Sequence, residues 1–566
     1  MNLYSQSNLD EVSADAHFGK KIVGCPAHGK SSGSDEAYCT YHRKLDSKKM
    51  EKQTYAYLLN PSEEDLLLVN DQTVNNLRAL GRAMIEAEPT DPNNDNASIP
   101  AGYTYWGQFI DHDITAATDR SPAGIITKPN FRPLDPETVV KETLSNERTP
   151  TLDLDSVYGD IDGPKGCFAD LYDGAKLKVG TVDLLSARFK VPHEELGLDR
   201  DLPRSSDAQA NLGDERNDEN LIIAQFHLSF LKFHNAVVDA IMQGALSEEV
   251  DIDDVDAVFK RARRETVMHY QWLVVHDFLV QMIGRQAVNE LLNNEPDPFF
   301  NADHLLMPVE FSVAAYRYGH SMVRNVYDFN INFGRPGTVF EERSTFAQLF
   351  AFTGGGAAAN PFMTSAIPSN WIIDWDRFFF DPDDQPHTDR FARKIDPALA
   401  VELGRMGNEG ANTPEDREDL EDAGRFNDIM KHLAQRNLLR GYILSTPTGQ
   451  ALARHYGTPV LDEAQLLQGN SNDMHDILSR ANFLERTPLW FYILQEARVQ
   501  NDGHALGALG SKIVGGTIVS LLQVDSDSYL NEEGGPWTPD QGIVTKVTGT
   551  PFKRMIDFQK FAGVRV

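Results

Sequence analysis

Cysteine is scarce, three in 566 residues, too few for a disulfide framework, which leaves reduced thiols or a small metal site. Basic charge is short as well. Lys and Arg number 53 against 84 Asp and Glu, a formal charge of −31, and such a surface repels nucleic acid and anionic membranes. No run of eighteen apolar residues occurs, and the opening MNLYSQSNLDEVSADAHFGKK lacks the basic start and apolar centre of a signal peptide. These absences predict no nucleic-acid partner, no transmembrane segment and a cytoplasmic location, with leaderless secretion as the alternative. Apolar residues make up 41% and charged residues 24%, so the chain can bury a large core and is not disordered by composition.

Strand-type alternation is also scarce. Apolar residues instead recur at three and four along Asn217 to Met242, and the pattern returns over Lys260 to Asn289 and over 307–326, 424–455 and 475–522. A mainly α fold follows. The polar stretch 1–74 reads as an N-terminal arm and 75–566 as one catalytic domain. Asp381 to Pro386 and Asn408 to Asp422 read as surface loops.

Four segments concentrate chemistry. In YTYWGQFIDHDIT, Tyr103 to Thr115, Gln108 and His112 are four apart and share a helix face, with Asp111 and Asp113 beside the histidine. In GDERNDEN, Gly213 to Asn220, Arg216 and Glu219 are three apart. In YRYGHSMVR, Tyr316 to Arg324, Arg317 and His320 repeat that spacing, and a glycine beside the histidine lets something large approach the backbone; a histidine with one open side suits axial iron ligation. In HLAQRNLLRG, Asn437 offers a carbonyl for the second N–H of a metal-bound histidine. Each segment alone is more often structure than chemistry: an acidic helix start, or a satisfied core histidine.

Taken together, in this order, the four resemble the animal-type haem peroxidases of the peroxidase–cyclooxygenase superfamily, which carry WGQ-x-x-DHD, Arg-x-x-Glu, RYGH and Asn-Leu-x-Arg-Gly segments. The resemblance runs from about residue 75 to about residue 522 and includes TPLWFYILQEA. It implies a myeloperoxidase-like, all-helical haem peroxidase fold with little β structure. It also implies reduction of hydrogen peroxide through an oxoferryl intermediate and oxidation of a small donor. By position, His112 matches the distal acid–base histidine, Arg216 the distal arginine that stabilises developing negative charge, and Gln108 the glutamine that positions water or halide. His320 matches the proximal iron ligand, Asn437 its orienting partner, and Arg317 a haem-propionate contact. Asp111 and Glu219 match carboxylates that are esterified to haem in mammalian members, so either haem b or a covalently modified haem is implied. Asn220 stands where myeloperoxidase has a sulfonium-forming methionine. Bromide, iodide, thiocyanate or a phenol are therefore better expected donors than chloride.

The resemblance also implies calcium. Asp113 and the stretch TPTLDLDSVYG place Thr149, Thr151, Asp153 and Asp155 at every second residue, and an extended loop would aim these oxygens to one side; a solvated acidic turn is the bland alternative. Outside the resemblance, Cys25-x-x-His28 and Cys39-x-x-His42 have the ligand softness and number of a zinc knuckle, with a Cys25–Cys39 disulfide or two unrelated thiols as alternatives. The glycines from Gly503 to Gly516 do not form a phosphate loop, because Ser511 precedes Lys512. His227 and His234 fit core roles. Two rivals stand beside the peroxidase. One is a fatty-acid dioxygenase, although the position of its radical tyrosine, three before the proximal histidine, is Arg317 here. The other is a non-catalytic haem- or calcium-binding sensor.

Overall fold

The computed structural model describes residues 54–88, 95–119, 125–159, 162–184, 189–206, 208–245, 250–334, 343–354, 366–381, 384, 387–406, 424–425 and 428–566. The expected zinc ligands Cys25, His28, Cys39 and His42 lie outside these residues.

The fold is mainly α, as expected. Its principal helices are α1 (Thr73–Met84), α2 (Gly102–Ile114), α3 (Leu221–Met242), α4 (Val255–Leu273), α5 (Leu433–Ile443), α6 (Leu489–Asn501), α7 (Ala508–Val524) and α8 (Met555–Phe561). Strands among the described residues form only two-stranded pairings. The longest of these pairs Asn96–Pro100 antiparallel with Phe391–Arg393.

Helix α3 is apolar almost all round, and a helix of that kind must sit inside the protein. By length and composition it would cross a membrane, but its residues are buried in the core. Its N-terminus is capped by Asn220, whose Oδ1 accepts from Ile223 N at 3.0 Å. Its interior polar groups are mostly paired within the protein: His234 meets Tyr158 Oη at 3.0 Å and the Ala175 carbonyl at 2.8 Å. Helices α2 and α4 pack on it. Phe109 of α2 stacks on Phe230 of α3 at 4.5 Å between ring centres.

The structure refines three of the expected helical stretches. The tract Lys260 to Asn289 is not one helix: α4 runs into a wide turn at Val274–Phe278 and ends at Gly284, whose φ of +83° a residue with a side chain rarely adopts. Residues 307–326 form a short helix, Val309–Val313, and then tight 3-10 turns over Ala315–Met322. The segment 213–220 approaches α3 through another 3-10 turn, Glu215–Asp218. With three residues per turn, groups three apart fall directly in line.

The two ends of the described chain both join this core. Tyr55 is buried, and Tyr55–Ala56 pair in parallel with Met307–Pro308. The buried carboxylate of Glu310 accepts from Leu58 N and Leu59 N at 3.0 and 3.2 Å. At the other end, Phe558 of α8 stacks on Phe233 of α3 at 3.9 Å with an interplanar angle of 4°. Asp277 accepts from both Tyr103 Oη and Met555 N, at 2.6 and 2.8 Å. The glycine-rich stretch at 503–516 opens α7, and the protein supplies its own anion there: Glu496 accepts from Leu509 N and Gly510 N.

Candidate active site

Helix α2 carries the first group of candidates. Its first residue must be a glycine, because a Cβ at Gly102 would lie 2.7 Å from the Phe378 carbonyl and 2.6 Å from the Phe379 ring. At its far end Asn146 ties down the backbone, accepting from Ala116 N at 2.8 Å and donating to the Ile114 carbonyl at 3.0 Å. Between these anchors His112 is 5% exposed, while Gly107, Gln108 and Asp111 keep accessible surface.

His112 is held from two directions by the Asp214–Asn220 segment. Its Nδ1 lies 2.8 Å from Asn217 Oδ1, and its carbonyl accepts from Arg216 Nη2 at 2.9 Å. Its Nε2 has no hydrogen-bond partner among the described residues and is not sealed from solvent. Burial, then the charge of Arg216, pushes the imidazole down to about 4, so the ring is neutral at neutral pH. Arg216 is clamped by Asp214, which accepts from its Nε and, at 2.7 Å, from its Nη2. Asp214 also accepts from Arg148 at 2.6 Å. Burial alone would raise Asp214, but the two guanidiniums outweigh it and hold the carboxyl well below the usual range.

Gln108 donates to Glu219 and accepts from Asn220 Nδ2 at 3.2 Å. Burial pushes Glu219 up to about 8 despite Arg216. Asp111 accepts from Thr115 Oγ1 at 2.9 Å.

The second group lies on the 3-10 turns that pack against α2. His320 Nδ1 lies 2.8 Å from Asn437 Nδ2 of α5. The expectation was the amide oxygen at this place. The side chain can turn over end for end, and a histidine ligating through Nε2 carries its proton on Nδ1, which selects the oxygen-facing orientation. His320 Nε2 has no partner among the described residues and is not sealed from solvent. A Cβ on the adjacent Gly319 would meet nothing within 4 Å. Burial, then Arg317 and Arg436, pushes His320 down to about 3.

Accessible surface recurs deep inside the molecule at Gly107, Gln108 and Asp111, at Arg216 and Glu219, at Arg317, Gly319 and His320, and at Arg436 and Arg440. Their neighbours in sequence are mostly buried. Such partial exposure among buried neighbours is what a cleft bounded by these residues would leave.

A family model described as animal haem peroxidase matches residues 126–355. A peroxidase-like protein of Margaritifera margaritifera is 27% identical over 271 residues, 40% of this chain and 32% of that protein. A chorion peroxidase of Aedes aegypti is 31% identical over 133 residues, 23% of this chain and 16% of that protein. Peroxidase A from Dictyostelium discoideum has the same fold, with TM-score 0.56 at 16% identity over 91% of this chain and 94% of that one. Over residues 126–355 in sequence, and in fold, the chain is similar to the haem peroxidases of the peroxidase–cyclooxygenase superfamily. The Oryza sativa fatty acid alpha-dioxygenase shares the fold at TM-score 0.51 and 12% identity, over 88% of this chain and 78% of that one. The matches to the two curated relatives span a third or less of those proteins' lengths. The family match begins after His112 and ends before Asn437, so these two residues are brought to the site by the geometry above.

The match to the animal haem peroxidase family implies haem, and the residues present fit it. Besides two histidines with free Nε2 atoms, the guanidiniums of Arg317 and Arg436 lie close enough to His320 to lower it. Burial, then Arg317 and Arg440, pushes Arg436 down to about 9, so positive charge collects where an anionic group such as a propionate would be favoured. Arg436 and Arg440 were missed in the sequence although they flank Asn437, because an arginine in a helical segment gives no sign of which way it points. Asn217, Asp214 and Arg148 were missed for the same reason.

The calcium candidates divide. Ligand oxygens of Asp113, Asp153 and Asp155 lie within 4.8 Å of one another. Burial, then Asp155 and Asp153, raises Asp113 well above its ordinary value, and burial pushes Asp155 up to about 7 despite Arg148. Three carboxylates facing one point suit a hard cation. The extended-loop geometry needs correction: Leu154 is left-handed at φ +60° and Asp155 begins a helical turn, Asp155–Tyr158. Residues 150–153 also run through successive bends, so the extended alternation is not kept along the loop. Thr149 meets Asp155 through its backbone, and Thr151 is buried.

Proposed function

We propose that this chain is a haem peroxidase that reduces hydrogen peroxide and oxidises a halide, a pseudohalide or a small organic donor. The observation that carries the reading is a pair of histidines, His112 buried and His320 partly accessible, each with one nitrogen engaged by an asparagine and the other without a partner among the described residues. His320 would hold the iron through Nε2, with Asn437 orienting the ring, and Arg317, Arg436 and Arg440 would receive the propionates. Bound haem would supply the iron centre at which the O–O bond is split. His112 Nε2, neutral at working pH, takes the proton from one peroxide oxygen and returns it to the other as water departs. Arg216, fixed by Asp214, stabilises the negative charge on the departing oxygen. Gln108 and Asn220 shape the side of the cleft that a donor would enter. Asp111 and Glu219 are the carboxylates available for ester bonds to haem. Asn220 excludes a sulfonium link, which favours bromide, iodide, thiocyanate or a phenol over chloride.

Calcium would be held by Asp113, Asp153 and Asp155, with Thr149 and Thr151 from the same loop, and would stiffen the end of α2 next to His112.

The test is stopped-flow absorbance of haem-loaded protein mixed with hydrogen peroxide, followed by bromide, iodide, thiocyanate and a phenol. A fast spectral change reversed by one of these donors supports the reading and names the donor class. Haem binding without that change, combined with oxygen uptake on adding a fatty acid, replaces it with a dioxygenase.

A further inference from the structure

Asn217 follows Arg216 directly in the 3-10 turn Glu215–Asp218, and the two residues grip His112 at different atoms. Arg216 Nη2 donates to the histidine carbonyl at 2.9 Å. Asn217, 0% exposed, presents Oδ1 to Nδ1 at 2.8 Å. With the amide in this orientation its oxygen can only accept, and the contact then requires the proton on Nδ1. The lone pair then resides on Nε2, the nitrogen without a partner among the described residues.

The charged and titratable groups around the ring do not do this work. Arg216 is engaged with Asp214 and the backbone. Asp111, on the same helix, accepts from Thr115. His227, on α3, has neither ring nitrogen hydrogen-bonded. Asn217 Nδ2 is itself buried without a partner, so the contact to His112 is what the side chain contributes.

We infer that Asn217 is a positioning residue that sets the tautomer of His112, keeping Nε2 unprotonated and able to accept a proton. The inference rests on the peroxidase reading, in which His112 is the base. A neutral amide suits the task, since it fixes the tautomer without adding a negative charge that would hold the ring as imidazolium.

The test uses full-length, haem-loaded protein labelled with 15N-histidine, measured as its diamagnetic ferrous carbonyl complex. The His112 signal is identified by its loss in His112→Gln. The expected result is protonated Nδ1 and unprotonated Nε2 in the unsubstituted protein, and a mixture of tautomers in Asn217→Leu. In the ferric form, association of hydrogen cyanide requires a base to take its proton. Asn217→Leu should slow it by about 10-fold or more, and Asn217→Asp, whose charge favours a doubly protonated ring, should not restore the rate at neutral pH. A His112 protonated on Nε2 in the unsubstituted protein would overturn the inference, and that measurement needs no variant to fold. An Asn217→Leu protein with unchanged tautomer and unchanged cyanide rate would overturn it too. Failure to form the haem complex, or to react with peroxide when Nε2 is unprotonated, would instead count against the peroxidase reading.

Discussion

At the scale of single residues, charge and protonation are set by neighbours far apart in sequence. Arg216 keeps its orientation because Asp214 is shared between it and Arg148, and His112 stays neutral because it is buried beside that arginine. His112→Ala and Arg216→Ala should each retain the haem absorption spectrum and slow the reaction with peroxide by ~100-fold or more, the usual contribution of an acid–base group. Stopped-flow rates would check this, and normal rates in both variants would remove the mechanism. His320→Ala should lose haem or change its ligation, read from the same spectrum.

At the scale of elements, the end of α2 and the turn at Asp153–Tyr158 are joined through carboxylates that repel one another. Asp113 also accepts from Ser156 Oγ at 3.2 Å and Leu154 N at 3.3 Å. Arg148 and Arg263 compensate from the flank, at 3.5 Å from Asp155 and 3.4 Å from Asp153. Calcium should therefore raise the thermal midpoint of the protein, by the equivalent of about 2.7 kcal/mol at a concentration 100-fold above its Kd. An Asp113→Asn, Asp153→Asn double variant should not respond. Calorimetry with and without calcium decides the matter. Helix α8 offers a second case. Deleting the Phe558 ring from its stack on Phe233 should cost about 3–5 kcal/mol, measured by denaturant titration of Phe558→Ala.

For the whole molecule, burial acts on both classes of titrating group and the effects oppose each other. Burial pushes His112, His234, His276 and His432 down to about 4 and His227 to about 3. Between those values and the ordinary 6.5 the unfolded chain binds more protons, so stability rises with pH there. Burial also pushes Asp95 and Asp277 up to about 6, Glu310 and Glu496 to about 7 and Glu219 to about 8. For these groups the folded chain binds more protons, and stability falls as pH rises from about 4 to about 8. Below pH 4 the histidine slope is joined by that of carboxylates held below their ordinary range, such as Asp214, in the same direction, and above 6.5 only the slope of the raised acids remains. Without added calcium, the thermal midpoint should be highest between about pH 4 and 6.5. A maximum at or above pH 7.5 would contradict this balance.

Helical periodicity, local spacing and residue type were legible along the chain. They identified the mainly α fold and singled out the Gln108–His112 face and the Arg216–Glu219 and Arg317–His320 pairs, because these depend on neighbours within a few positions; joining Asp113 to Asp153 and Asp155, 40 residues on, took the family resemblance. Helix interruptions at Gly284 and over Ala315–Met322 were less visible, since tight turns and α-helix share nearly the same apolar spacing. Only the tertiary structure decided which group meets which: Asn217 at His112, Arg148 on Asp214, and Arg436 between Arg317 and Arg440. Hydrogen bonds and charge interactions fall off within a few ångströms, and the separation of two residues in sequence does not fix that distance until the chain has folded.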